Sequence, residues 1–346
     1  MPVISFSVMH TVTPNHHRLD NLVLLRAIAV TLVCLCHFSF ALVRSDSPDT
    51  TAFHYLHEYG KYGVQIFFVV SGFVIPLSLH TGGYTIRSYG QFLLKRALRL
   101  HPPFLVALAL TLVVAELSYY ARGVPSPETG RTILMSLFYL HEPADNPVFW
   151  TLGVEALYYT FIGLAYPLLV RYPRVAYSGF ALLAIVADRS PLGLHTLLFS
   201  HLMYFLIGTG GFMVWRQVGD KWLTAGVMAA LLTYVFSFHE LAASVAALFA
   251  LGVIFHYQGP VRAPIAFLGE ISYSVYLIHF PIGVKLINLA SRHLDATYDR
   301  MLLVITLAVI IGLATLFYWF VEKPSALWSG RIRYRRALRS AVASEA

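Results

Sequence analysis

The chain is poor in charged residues. Asp, Glu, Lys and Arg make up 12% of its 346 residues, whereas soluble domains carry about 25%. Hydrophobic residues reach 58% and the mean hydropathy is +0.66, which is more apolar surface than a soluble protein of this size can bury. Intrinsic disorder is excluded as well, because it needs low hydrophobicity and high charge. The composition predicts an integral membrane protein.

Cysteine is also scarce. The two cysteines, Cys34 and Cys36, both fall in the first apolar stretch. Two residues apart on a helix they point to different sides, so they cannot form a disulfide with each other. This excludes a disulfide framework and a cysteine zinc site.

Ten apolar runs are candidates to cross the roughly 30 Å of hydrocarbon in a bilayer. Eight are long and clean, and two, at 175–187 and 222–236, are shorter or less apolar. The eight lie at 22–43, 62–80, 102–119, 148–170, 193–215, 241–257, 266–290 and 301–321. The segment 131–141 is too short to span and is expected to be re-entrant or interfacial. The fold class is therefore an all-α membrane protein with about ten transmembrane helices.

Basic residues indicate the orientation. With ten crossings, 16 Lys and Arg residues fall in loops on the side of both termini and 7 on the other side. Because positive residues concentrate in cytoplasmic loops, both termini are predicted to be cytoplasmic. The chain then divides into an N-terminal segment 1–21, a membrane domain 22–321 and a basic tail 322–346. The cluster at 331–339 is expected to lie near the anionic inner leaflet.

Placing an ionisable residue inside the hydrocarbon costs free energy, so each such residue is a functional candidate by default. Arg26 and His37 are eleven residues apart, which places them on one face of one helix, about 16 Å apart along its axis. The structural alternative is a core histidine satisfied by a neighbour and a snorkelling arginine. Three further residues lie near span ends, where they can snorkel to the interface: Glu116, Glu270 and Lys285.

Two other intramembrane residues have depths compatible with that of His37. Glu155 lies near the outer end of the fourth span and His279 in the ninth. A carboxylate beside an imidazole in a dry site would orient its tautomer and stabilise its protonated form, as general-base catalysis requires. The depths are compatible with such a pairing of His37 and Glu155, but the sequence does not show that the two residues touch.

A second group of candidates lies toward the opposite face of the membrane. Arg96 and Arg99 are three residues apart and share a helix face. Clustered guanidinium groups suit phosphate recognition, although positive-inside topology is an equally good explanation. Residues 63–73 include small side chains that allow close helix approach. Within them Ser71 is either a site residue or a packing hydroxyl.

Together these segments resemble the membrane acyltransferase-3 family. The resemblance runs in order along most of the chain, through residues 19–37, 63–73, 92–102, 150–155, 272–281 and 320–324. It implies that His37 is catalytic with Arg26 as its partner, and that Glu155 is the family's buried glutamate. The chain departs from the family pattern at Gln65, where many relatives carry Asp, and at Lys95, where Arg is usual. Around Trp150 it reads Thr-Leu-Gly, where Ser-Leu-Ser is common.

The resemblance implies a transmembrane O-acyltransferase of the bacterial inner membrane. An acyl group, in most members acetyl, would move from cytosolic acyl-CoA to a hydroxyl of a carbohydrate or glycolipid acceptor on the outer side. No permanently bound cofactor, metal or nucleic acid is expected. His37 would either deprotonate the hydroxyl or carry the acyl group itself, and Glu155 would orient it. The implied CoA-binding residues are Arg26, Arg96 and Arg99, and the implied pocket or oxyanion residues are Ser71, Tyr276 and His279.

The main alternative is a proton-coupled secondary transporter, in which the intramembrane residues would form a proton or substrate path. The chain shows no internal repeat and no matching pair of Gly/Pro-broken spans, which argues against it. A non-catalytic scaffold would leave the buried charges unexplained.

Overall fold

The computed structural model describes residues 20–44, 46–189 and 197–334, and every regular element within these ranges is a helix. The α-helices are α1 Asp20–Leu42, α2 Thr50–Gly60, α3 Gly63–Thr81, α4 Tyr89–Arg122, α5 Gly130–Ser136, α6 Trp150–Arg171, α7 Pro173–Arg189, α8 Leu202–Arg216, α9 Lys221–Phe238, α10 Leu241–His256, α11 Ala263–Glu270, α12 Ser272–Ile278, α13 Lys285–Ala290, α14 Asp299–Phe317 and α15 Lys323–Gly330.

Seven helical segments of the described chain are long and apolar enough to cross a membrane. They are Asp20–Leu42, Thr50–Thr81, Ile86–Arg122, Pro147–Arg171, Lys221–Phe238, Ser272–Ala290 and Ala296–Gly330. In a bilayer only helices and closed barrels satisfy every backbone group internally, so these apolar runs fold as helices. The predicted all-α membrane class is confirmed.

Three of the ten predicted spans fall on shorter helices. The runs at 175–187, 193–215 and 241–257 correspond to α7, α8 and α10, which have 17, 15 and 16 residues. The count of ten and the orientation of the termini therefore stay predictions. Residues 1–19, most of the predicted N-terminal segment, lie outside the described residues. So do the start of the 193–215 run and the tail beyond residue 334.

The bundle is built around a close crossing of α3 and α8. A Cβ on Gly72 would lie 2.0 Å from the carbonyl oxygen of Phe205, and one on Gly208 would lie 2.0 Å from that of Val69. The Thr209 hydroxyl donates a hydrogen bond to the Gly72 carbonyl at 3.1 Å. Small residues let helix backbones approach in this way in membranes. The close approach predicted for residues 63–73 is confirmed.

Two π-helical segments interrupt the C-terminal helices. The first, His279–Val284, joins α12 to α13, and the second, Tyr318–Glu322, joins α14 to α15. Such π-helical turns are rare and occur often at functional sites. Each carries one of the site residues described below, His279 at the start of the first and Glu322 at the end of the second.

The chain between α5 and α6 folds back against the bundle. Tyr139 has a φ of 61° and its hydroxyl lies 3.0 Å from Nδ1 of His101. Burial, with a smaller contribution from the carboxylate of Glu155, raises the pKa of the Tyr139 hydroxyl, so this hydroxyl stays protonated and donates to His101. The short helix α5 and the returning chain after it agree with the expectation that 131–141 does not span.

Three charged residues predicted near span ends have distinct surroundings. Glu116 and Glu270 are exposed on the helix surface. Lys285 instead forms an ion pair with Asp145 and donates a hydrogen bond to Ser118 at 3.3 Å. Its charge is therefore compensated within the protein.

Candidate active site

A cavity of about 150 Å³ lies between α1, α3, α4, α6 and α12. We call it the arginine cavity, because three guanidinium groups line it. Its polar lining residues are Arg26, Ser71, Arg96, Arg99, Thr151, Glu155, Tyr159, Ser272, Tyr273, Tyr276 and Glu322. The three predicted CoA-binding arginines, which come from two different helices, are thus brought to one place.

Arg96 is the most buried of these arginines, with 8% of its surface exposed. One terminal nitrogen donates to the Ser78 hydroxyl, and the guanidinium carbon lies 5.6 Å from the Phe92 ring centroid and 5.7 Å from that of Tyr159. Its Nε has no hydrogen-bond partner among the described residues. A buried cation with an unused donor is a costly arrangement.

The carboxylates of the arginine cavity are held by hydroxyl groups. Glu155 Oε1 accepts hydrogen bonds from Ser71 Oγ, at 3.3 Å, and from the Tyr159 hydroxyl. Glu322 Oε2 accepts from the backbone N–H of Ser274, at 3.1 Å, and from its hydroxyl. No ion pair within the described chain joins either carboxylate to an arginine. The guanidinium groups therefore keep donors free for a ligand.

A second cavity, of about 370 Å³, contains His37. We call it the histidine cavity, because His37, His201 and His239 line it together with Lys61, Tyr62, Gln65, Trp150, Tyr204, Glu240 and Tyr276 among others. Gln65 Oε1 and His201 Nδ1 are buried and have no partner among the described residues. Histidine, tyrosine, glutamine and glutamate side chains thus line the cavity together with apolar residues, and hydrogen-bonding groups of this kind suit a ligand that carries hydroxyl groups.

His37 faces an aromatic neighbourhood on one side. Its ring centroid lies 5.3 Å from that of His279, at an interplanar angle of 40°, and 5.0 Å from that of Phe280 in an edge-on arrangement. His279 is fully buried, and its Nδ1 lies 2.7 Å from the carbonyl oxygen of Tyr276. The first π-helical segment therefore brings a second imidazole against the predicted catalytic one.

Tyr276 and Val64 line both cavities. The Tyr276 hydroxyl donates to the Val148 carbonyl at 2.9 Å and lies 2.6 Å from Thr151 Oγ1. These bonds fix the tyrosine as a wall between the two spaces. The two cavities meet at this wall.

The wall separates two residues that were expected to be neighbours. Thr151 and Glu155 lie one turn apart on the same face of α6, and Thr151 holds Tyr276, so Glu155 is on the arginine side. Within the described residues no hydrogen bond or ion pair joins Glu155 to His37. The direct neighbour of His37 is His279, a residue that the sequence predicted only as part of the pocket.

The two remaining predicted site residues, Ser71 and Arg26, both line the arginine cavity. Ser71 lines the arginine cavity beside Glu155, and Arg26 Nε donates to Ser272 Oγ at 3.1 Å. Sequence reasoning assigned no role to several lining residues, namely Tyr159, His201, Tyr273, His239, Glu240 and Glu322. Tyr273 and Glu322 stood in segments that carried the family resemblance, which was the one available signal. The others have no sequence signal, because their proximity depends on how the helices pack.

The model of the family described as "Acyltransferase domain" (acyltransferase-3) matches residues 19–321. No curated protein and no solved structure matches the chain. The matched range contains α1 through α14 and every lining residue of both cavities except Glu322, and it confirms the resemblance found from the sequence. Since the match covers nearly the whole chain, the protein belongs to the acyltransferase-3 family of membrane acyltransferases.

Proposed function

We propose that the protein transfers an acyl group, acetyl in the first instance, from cytosolic acyl-CoA to a hydroxyl of a carbohydrate or glycolipid acceptor on the opposite side of the membrane. The observation that carries the proposal is the pair of cavities that meet at Tyr276. One is lined by three guanidinium groups, and the other is lined by His37 together with other side chains that can form hydrogen bonds. Each has the chemistry that one of the two substrates needs.

The donor would occupy the arginine cavity. Arginine binds phosphate through several donors in a fixed plane, and the unused Nε of Arg96 is such a donor in a buried place. With the predicted orientation, this cavity is reached from the cytosolic side, where acyl-CoA is found. The phosphates would be held by Arg26, Arg96 and Arg99, and the pantetheine arm would extend toward Tyr276.

The acceptor would occupy the histidine cavity with its hydroxyl beside His37. His37 would remove the hydroxyl proton while the oxygen attacks the thioester carbonyl carbon. The carbon–sulfur bond then breaks, and the proton passes from His37 to the sulfur. The products are the ester and free CoA thiol, and His37 returns to its neutral form. The reacting atoms would meet at the boundary that Val64 and Tyr276 line.

Glu155 would act in the arginine cavity, where acyl-CoA binds. Its contacts with Ser71 and Tyr159 hold its carboxyl group in the arginine cavity beside the guanidinium groups. This role replaces the orientation of His37 that the sequence suggested. A proton-coupled transporter is not favoured, because the family match is to acyltransferases.

The test is release of CoA thiol from acetyl-CoA by the purified protein in detergent, with and without a saccharide acceptor. We expect turnover by the parent protein and its loss in His37→Ala, with acetyl-CoA binding retained. His54→Ala is the matched control, because His54 is exposed on α2 and lines neither cavity. Equal thiol release by the parent protein and His37→Ala would reject the proposed mechanism.

A further inference from the structure

His279 has a fixed tautomer and an unused acceptor. A carbonyl oxygen can only accept a hydrogen bond, so the contact at 2.7 Å between Nδ1 and the Tyr276 carbonyl places the proton on Nδ1. Nε2 then carries a lone pair. This atom is buried and has no partner among the described residues. An unsatisfied buried acceptor is costly, so the site is incomplete without a donor at Nε2.

His37 is the second imidazole beside His279, with 5.3 Å between the ring centroids. His279 is held in place by ring contacts with Phe38 at 6.2 Å and Tyr276 at 5.6 Å. His37 is half-buried, lines an open cavity and makes no hydrogen bond within the described residues. With the centroids 5.3 Å apart, ring nitrogens turned toward each other lie about one hydrogen-bond length apart. A rotation of the His37 ring therefore suffices to bring its N–H to Nε2 of His279.

We infer that His279 is the positioning residue of His37: its Nε2 accepts a hydrogen bond from one ring N–H of His37 and leaves the other ring nitrogen unprotonated toward the histidine cavity. This inference rests on the proposed function, in which His37 is the base. It gives His279 the place that a carboxylate holds in many catalytic dyads and triads. Glu155 does not occupy that place, because it lies beyond the Tyr276 wall.

The hydrogen bond would matter most in the transition state. When His37 takes the hydroxyl proton it becomes an imidazolium, and its bond to Nε2 of His279 becomes charge-assisted and stronger. An interaction that strengthens on the way to the transition state raises kcat rather than substrate affinity. His279 therefore should affect kcat and leave the KM for acetyl-CoA nearly unchanged.

Two amide variants separate the positions of the two ring nitrogens. In His279→Asn the amide reaches the place of Nδ1 and can still donate to the Tyr276 carbonyl, but it leaves nothing at Nε2. In His279→Gln the amide reaches the place of Nε2 and offers an oxygen acceptor there. We expect kcat to fall about 10- to 100-fold in His279→Asn, with an unchanged KM for acetyl-CoA, and to be largely restored in His279→Gln. Size-exclusion profiles and melting temperatures of both variants in detergent check the fold.

A readout that does not need turnover keeps the inference testable. Carbethoxylation by diethyl pyrocarbonate modifies an unprotonated imidazole nitrogen, and peptide mass spectrometry measures its rate at His37. We expect this rate to fall at least about twofold in His279→Asn, because the tautomer is no longer fixed, and to be retained in His279→Gln.

The possible failures are distinct. If the parent protein shows no acyl-CoA-dependent turnover, the proposed function fails, and equal carbethoxylation of His37 in the two variants would then also overturn the inference. If the parent protein turns over and His279→Asn keeps its kcat, the inference alone is wrong. It is wrong as well if both variants are folded and equally inactive, because that result indicates a structural role.

Discussion

Replacing Arg96 and Arg99 by alanine should weaken acyl-CoA binding without unfolding the protein. The two guanidinium groups differ in environment. Arg96 is 8% exposed and has an unused Nε, whereas Arg99 is exposed while still lining the cavity. A charge-assisted hydrogen bond contributes about 1.5–3 kcal/mol, less where solvent screens it. The buried arginine should therefore contribute the larger share.

The expected magnitude follows from these contacts. At about 1.4 kcal/mol per tenfold change in affinity, loss of Arg96 should raise the Kd for acetyl-CoA about 10- to 100-fold, and loss of Arg99 by about tenfold or less. Arg96→Lys should fall between alanine and the parent protein, because lysine keeps the charge but not the planar set of donors. Affinity should also fall as salt rises, most for the exposed contact.

The assay is isothermal titration of acetyl-CoA into purified protein in detergent, repeated with dephospho-CoA, which lacks one phosphate group. Arg87→Ala is the matched control, because Arg87 is exposed at the same end of α4 and does not line the cavity. If the double variant binds acetyl-CoA as tightly as the parent protein, or if Arg87→Ala weakens binding equally, the arginines are topology signals and the assignment of the donor cavity is wrong.

Two further predictions concern the bundle itself. Gly72→Val should abolish folding, because its Cβ would lie 2.0 Å from the carbonyl oxygen of Phe205. Gly226→Ala should be tolerated, because no atom lies within 4 Å of the added Cβ. The yields of folded protein from size-exclusion chromatography in detergent compare the two variants. Lys285→Ala should lower stability by about 1 kcal/mol or somewhat more, because it leaves the largely buried Asp145 unpaired, and should leave acyl transfer per folded molecule unchanged. A normal melting temperature for Lys285→Ala would contradict the stabilising role of its ion pair with Asp145. A normal yield of Gly72→Val would contradict the close approach of Gly72 to Phe205.

Much of the architecture was predictable from the sequence. Low charge and long apolar runs lead to helices, since a helix satisfies its backbone hydrogen bonds within one segment. Relations within one helix follow from its period, so the spacing alone places Arg26 and His37, or Arg96 and Arg99, on common faces. The motif order that carried the family resemblance is likewise a property of the chain alone.

Relations between helices were decided by packing. The sequence suggested Glu155 as the partner of His37, but it contains no signal for the rotation of α6 relative to α1. In the folded bundle Thr151 and Tyr276 keep Glu155 in the arginine cavity, on the other side of the Tyr276 wall from His37. Hydropathy also carries no signal for a π-helical turn, yet such a turn sets His279 against His37. Contacts between distant segments depend on side-chain fit at crossings such as that of α3 and α8, and only the folded bundle determines that fit.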